Sequence, residues 1–346
     1  MNFPSSLAGR LTVLTFIVCT MAHRAAAQPQ YTIADLGTLP TFNSSEAGGT
    51  NASGQVAGWS STPGGVDHAF IWSNVSGMQD LGTLTFNSSA AIGINALGQA
   101  AGEVYSSSGP SHAFFWTTDA GLTDIHNSSS FSSSEAMGIN AAGQIVGRLS
   151  NPTVLDHAFL WSSSVGMSDL GPMPGLTDSV AYGINDSGQI VGTSWDDING
   201  RAFLWTSGAG FTDLGTLPGF RYALASSINA SGQVVGEASN DTGPIHGFLW
   251  TPDGTMTDLG TMGFLYVQPY AINAPGAAVG QVSNGGPGSV RAFIWQTGLL
   301  TDLNTLIPPD SGWVLTIATS INDNGQIAGT GTVAGQRHAF LLTPTP

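Results

Sequence analysis

The stretch that decides the fold is Gly138-Ile139-Asn140-Ala141-Ala142-Gly143-Gln144-Ile145-Val146-Gly147, followed by His157-Ala158-Phe159-Leu160-Trp161 and then Met167-Ser168-Asp169-Leu170-Gly171. Asn140 to Gly143 reads as a tight turn, because Asn and Gly reach positive φ at little cost. The short runs around it, rich in branched and aromatic residues and bounded by Gly, Ser and Asn, read as strands. Glu135–Asn140, Gln144–Leu149, His157–Trp161 and Met167–Leu170 make four strands, and no window carries a sustained helical period.

The same three motifs recur seven times. The aspartate of Asp-Leu-Gly-Thr-Leu, strict or loose, stands at Asp35, Asp80, Asp124, Asp169, Asp213, Asp258 and Asp302. The turn asparagine stands at Asn51, Asn95, Asn140, Asn185, Asn229, Asn273 and Asn322, and the phenylalanine of the third motif runs from Phe70 to Phe340 at matching intervals. Four strands in a repeat of about 44 residues is the arithmetic of a propeller blade, so the fold class is all-β, a seven-bladed β-propeller of four-stranded antiparallel blades. Tyr31–Leu39 is a fourth strand with no blade before it, and Ser320–Leu342 supplies three strands with no fourth. Joined, the two ends complete the last blade and remove a free sheet edge. A parallel β-helix with two coils per repeat is the rival; it calls for capped ends instead of complementary half-units.

Arg10, the apolar run Leu11–Met21 and Ala25-Ala26-Ala27 read as a signal peptide over residues 1–27, leaving 28–346 as the repeat domain. Cys19 falls in the leader, so disulfides are not expected to hold the domain. The chain has no lysine: its 7 basic residues are all arginine, against 22 acids, and without Arg10 and Arg24 the formal charge is −17. Such a surface repels phosphates, which argues against nucleic acid and anionic membrane as partners. A secreted monomer is the expectation.

The motifs Gly-Ile-Asn-x-x-Gly-Gln, His-Ala-Phe-Leu-Trp and Asp-Leu-Gly-Thr-Leu resemble the extracellular repeat of the HAF family, named for its His-Ala-Phe triplet. The resemblance covers nearly all of residues 31–346. It implies export, a bacterial source and a repeat fold, and it supplies no substrate.

Several residues look chemical. His68, His112, His157 and His246, with Arg201 in one unit, precede Asp80, Asp124, Asp169, Asp258 and Asp213 by twelve residues. Across a hairpin each basic residue would face its acid, a good cross-strand pair. A pair repeated round a ring reads as a structural strut rather than as a metal or catalytic site. Trp72, Trp116, Trp161, Trp205, Trp250 and Trp295 share a strand face with the motif phenylalanine and read as packing between blades. Turns such as Asn322-Asp323-Asn324-Gly325 lack the acids of a calcium loop. No cofactor or metal motif stands out.

Binding is expected where the repeats differ. Just after the second strand's glycine the units carry Trp59, Glu103, Arg148, Thr193, Glu237, Gln281 and Thr330, and the loop Trp195-Asp196-Asp197 follows one of them. These positions predict a polar rim with Trp59 and Trp195 as aromatic platforms and Arg148 as the main cation. The expected function is a non-catalytic binding module for an extracellular glycan or protein. The alternative is a polysaccharide hydrolase or lyase using Glu103 and Glu237 as paired acids.

Overall fold

The computed structural model describes residues 31–151, 154–286 and 288–345; the leader over 1–27 lies outside the described residues. The described residues form 28 strands in seven four-stranded sheets, each antiparallel throughout. Blades 1 to 6 follow chain order, beginning with the strands Ser44–Thr50, Ser88–Ile94, Ser133–Ile139, Asp178–Ile184, Tyr222–Ile228 and Tyr266–Ile272. Blade 7 takes Trp313–Ile321, Ile327–Val333 and Gln336–Pro344, and its outermost strand is Tyr31–Asp35 from the other end of the chain. Tyr31 pairs with Pro344, Ile33 with Leu342 and Asp35 with Phe340. The ring is closed.

The core is a series of blade-to-blade seams. Seven phenylalanines, one per blade, have no solvent exposure. Trp116 packs with Ala57 and Ile71 of the preceding blade, and Tyr31 is buried with Leu306 and Leu315. Burying aromatic and branched side chains at each seam is the main stabilising term in a fold without disulfides. In the second strand the glycine is steric: a Cβ on Gly236 would stand 2.0 Å from the Leu224 carbonyl and 2.6 Å from the Phe248 ring.

The asparagine turns do more than reverse the chain. Asn140 Oδ1 accepts from the amides of Ala142 and Gln144, and Asn140 Nδ2 donates to Gln144 Oε1 and to the Asn185 carbonyl of the next blade. Each of the seven asparagines makes that last bond, at 2.8–3.1 Å, ending with Asn322 to Asn51. One end of the central channel is therefore bounded by a continuous ring of seven amide bonds, each buried and satisfied.

Candidate binding site at the central channel

Each innermost strand carries a β-bulge. In blade 1, Ala47 pairs with Gly58 and Gly49 with Ala57, so Gly48 is the extra residue. The same slip isolates Ile92, Met137, Tyr182, Ser226 and Tyr270, and in blade 7 Thr319. A bulge re-aims the unpaired side chain. Here all seven line one cavity of about 400 Å³ along the axis, with Trp59 added from a second strand. Trp59 lies in the blade whose bulge residue is Gly48, which has no side chain to cover it. That volume is in the range of small-ligand sites.

On the side of the bulges away from the asparagine ring lies a polar layer. Second-strand residues there pair with inner-strand partners: Trp59 with Glu46, Glu103 with Ala90, Arg148 with Glu135, and Gln281 with Gln268. Arg148 Nη2 donates to both Glu135 oxygens at 2.7 Å, and its Nη1 stands 3.2 Å from Asp156. Burial pushes the Glu103 carboxyl up to about 7; the nearby Glu135 charge adds to the rise and Arg148 opposes it. On the far side, Gln268 Nε2 donates to Glu237 at 2.9 Å and Gln281 Nε2 donates to Gln268 Oε1 at 2.8 Å. Burial raises Glu237, and burial also holds the Tyr270 hydroxyl up at about 12.

The rim anticipated from the repeat register divides in two. Of its residues, Trp59 lines the cavity, while Glu103, Arg148, Glu237 and Gln281 belong to the polar layer beside it and are not among its lining residues. Thr193 shares their register but is 9% exposed, its hydroxyl 3.4 Å from the Arg201 and Ala223 carbonyls, so it offers nothing to a ligand. Trp195, Asp196 and Asp197 are not among the channel-lining residues. Asp196 folds back onto the amides of Ile198 and Asn199, which holds its carboxyl below the ordinary range. Arg148, expected to be the main cation of the rim, is engaged by the carboxylates of Glu135 and Asp156.

The histidine–aspartate pairs form as the spacing predicts. Nδ1 lies 2.7–3.0 Å from the acid for His68–Asp80, His112–Asp124, His157–Asp169 and His246–Asp258, and Arg201 lies 3.4 Å from Asp213. His338 meets Asp35 at 2.9 Å across the junction of the two chain ends. In most units the acid's other role is to accept the amide two residues on, as Asp80 does from Gly82. Arg291 departs from the pattern and donates to the Gly288 and Val290 carbonyls. These pairs lie on strands three and four, away from the channel. Sequence reasoning missed the bulge residues themselves; their trace is a position that varies between small neighbours in every repeat.

Residues 117–341 match the model of a family described as "Protein of unknown function (DUF3466)". The chain belongs to this family. No curated protein matches it in sequence. Among solved structures, virginiamycin B lyase from Staphylococcus aureus is similar with a TM-score of 0.58 and 11% identity, covering 91% of this chain and 99% of that one. The propeller domain of the trilobed protease from Pyrococcus furiosus gives a TM-score of 0.57 at 9% identity, over 87% of this chain and 95% of that one. YCF48 bound to D1 peptide gives 0.54 at 12% identity, over 93% and 97%. At these identities the likeness is one of fold. The Pyrococcus domain is described as an open velcro propeller; in this DUF3466 chain the Tyr31–Asp35 strand stitches the last blade shut.

Proposed function

We propose that this chain is an exported, non-catalytic binding propeller that holds an extracellular glycan at the open side of its central channel. One observation supports the reading: seven bulges turn unlike side chains into a single cavity lined by the aromatic residues Trp59, Tyr182 and Tyr270, next to a polar layer that holds Gln268, Gln281 and Glu237. Aromatic faces stack on the apolar faces of sugar rings, and amides and carboxyls bond their hydroxyls. Export rests on the leader-like residues 1–27 and on the resemblance to the extracellular HAF repeat.

The catalytic reading has one observation in its favour, since a carboxyl pushed up to about 7 is a competent proton donor at neutral pH. Against it, Glu103 and Glu237 sit in separate networks with blades 3 and 4 between them. Two-carboxylate hydrolysis needs both groups on one bond. The test is a glycan array followed by calorimetry on the folded domain. Binding that Trp59→Ala and Tyr270→Ala abolish, with unchanged melting temperature, supports the proposal. Release of new reducing ends, lost in Glu103→Gln, overturns it for the catalytic alternative; a protein ligand that ignores both variants overturns it altogether.

A further inference from the structure

Six of the seven residues that precede the motif asparagines are isoleucine, from Ile94 in blade 2 to Ile321 in blade 7, and the seventh is Thr50. They form a collar between the bulges and the asparagine ring. Ile94, Ile139, Ile184 and Ile228 line the central cavity, and the same collar lines the recesses inside the asparagine ring on its other side. Next to the collar, the bulge residues Ile92 and Met137 extend the apolar wall, and Trp59, Tyr182 and Tyr270 supply its aromatic part.

The cavity carries no charge. Although the chain has 22 acids, none of the residues lining this space is charged. Most of its small hydroxyls are already committed to the backbone. Thr50 donates to the Gln55 carbonyl at 3.0 Å, Ser226 to the Pro269 carbonyl at 2.7 Å and Thr319 to the Ala328 carbonyl at 3.3 Å, while Ser320 Oγ accepts from the Thr50 amide at 3.1 Å. The charged groups lie in the separate polar layer, where Arg148 is held by Glu135 and Asp156, and Glu237 by Gln268. An ion moved against such a wall would lose its hydration without compensation. An uncharged aromatic ring gains there, by burial and by stacking on the three aromatic residues.

We infer that the central cavity takes an uncharged aromatic group, so that the bound glycan is a glycoside with a neutral aromatic aglycone. The aglycone sits against the isoleucine collar, and the sugar occupies the open side beside the polar layer. This rests on the glycan reading above and narrows it to one ligand class.

The experiment is calorimetry at pH 7 with the methyl, phenyl and para-carboxyphenyl glycosides of glucose, galactose, mannose and N-acetylglucosamine, and with benzyl alcohol as an aglycone alone. It uses the unmodified chain, Met137→Glu and Tyr182→Ser, each checked by thermal melting. Both changes fall at bulge positions, which carry residues from Gly48 to Tyr270 in the different blades, so the backbone there accepts unlike side chains. The expected result is that a phenyl glycoside binds roughly tenfold or more tightly than its methyl counterpart, and more tightly than benzyl alcohol. The para-carboxyphenyl glycoside should lose that gain, Met137→Glu should erase it and Tyr182→Ser should reduce it. Equal affinity for phenyl and methyl glycosides, or a gain that survives Met137→Glu, overturns the aromatic pocket and leaves the glycan reading standing. Should benzyl alcohol bind in a manner that Met137→Glu abolishes, with no glycoside binding more tightly than it, the pocket stands and the glycan reading falls. Absence of binding by every probe overturns both.

Discussion

Replacing Asn140 by alanine cuts the amide ring at one link and strips a turn of its scaffold. The side chain is 3% exposed and makes four hydrogen bonds: it accepts from the amides of Ala142 (3.1 Å) and Gln144 (3.0 Å), and it donates to Gln144 Oε1 (2.8 Å) and the Asn185 carbonyl (3.1 Å). A net bond contributes about 1 kcal/mol and a stranded buried partner costs ~1–3 kcal/mol. Water can reach the Gln144 end of the turn, which lowers the penalty there, so the loss should be about 2–4 kcal/mol. For a domain of roughly 315 residues that corresponds to a fall in melting temperature of about 3–6 °C. Urea titration followed by tryptophan fluorescence reads the loss directly. A double-mutant cycle adds specificity. Asn140 and Asn185 share a link and should couple by ~0.5 kcal/mol or more when both are changed, whereas Asn140 and Asn322 should be nearly additive. A loss below about 1 kcal/mol, or equal coupling in the two pairs, would refute the view that the ring carries stability between blades.

Three further outcomes follow from the same geometry. Glu103 has a folded pKa of about 7, above its ordinary 4.5, so the folded protein keeps a proton that the unfolded chain has released, and stability falls as pH rises through that interval. Glu103→Gln should remove this slope and stabilise the protein at pH 8 by ~1–3 kcal/mol; urea midpoints at pH 5 and pH 8 check it, and an unchanged slope counts against the burial of Glu103. His157→Ala should lose about 1 kcal/mol, from the 3.0 Å contact with Asp169 and the Phe131 ring at 5.2 Å, while leaving channel binding intact; lost binding in a variant that melts normally would give the pair a functional role. Gly236→Ala should cost at least ~3 kcal/mol or prevent folding, because the new Cβ meets backbone at 2.0 Å; a soluble variant with native stability would mean the second strand shifts easily.

Blade number, strand content and the closure by the first strand are legible in the repeat, because one period and two complementary ends admit few arrangements. The cross-strand pair of His157 and Asp169 is also readable, since a hairpin of fixed length puts them opposite each other. What one repeat does not reveal is its partner in the next. Asn140 reads as a turn residue, and its bond to Asn185, 45 residues on, exists only once the blades are ringed. The channel residues escape for a related reason. An alternating strand assigns Tyr182 to one face, and only the bulge between Ala181 and Gly183 turns it to the axis. Asp196 illustrates the opposite error. It looked like a ligand-binding acid, yet Asp-Asp-Ile-Asn is loop-capping chemistry, with the first carboxylate bonded to its own loop amides.

The channel and its proposed ligand both depend on the ring being shut by Tyr31–Asp35 against Gln336–Pro344. Thr32 and Thr343 face each other across that junction and are both exposed. Cysteines at these two positions, with Cys19 replaced by serine, lie within disulfide reach only if the strands pair in this register. Rapid, near-complete formation of an intramolecular disulfide that raises the melting temperature is the predicted result. Two thiols that stay free under oxidising conditions, or that crosslink only between molecules, would contradict the closed ring.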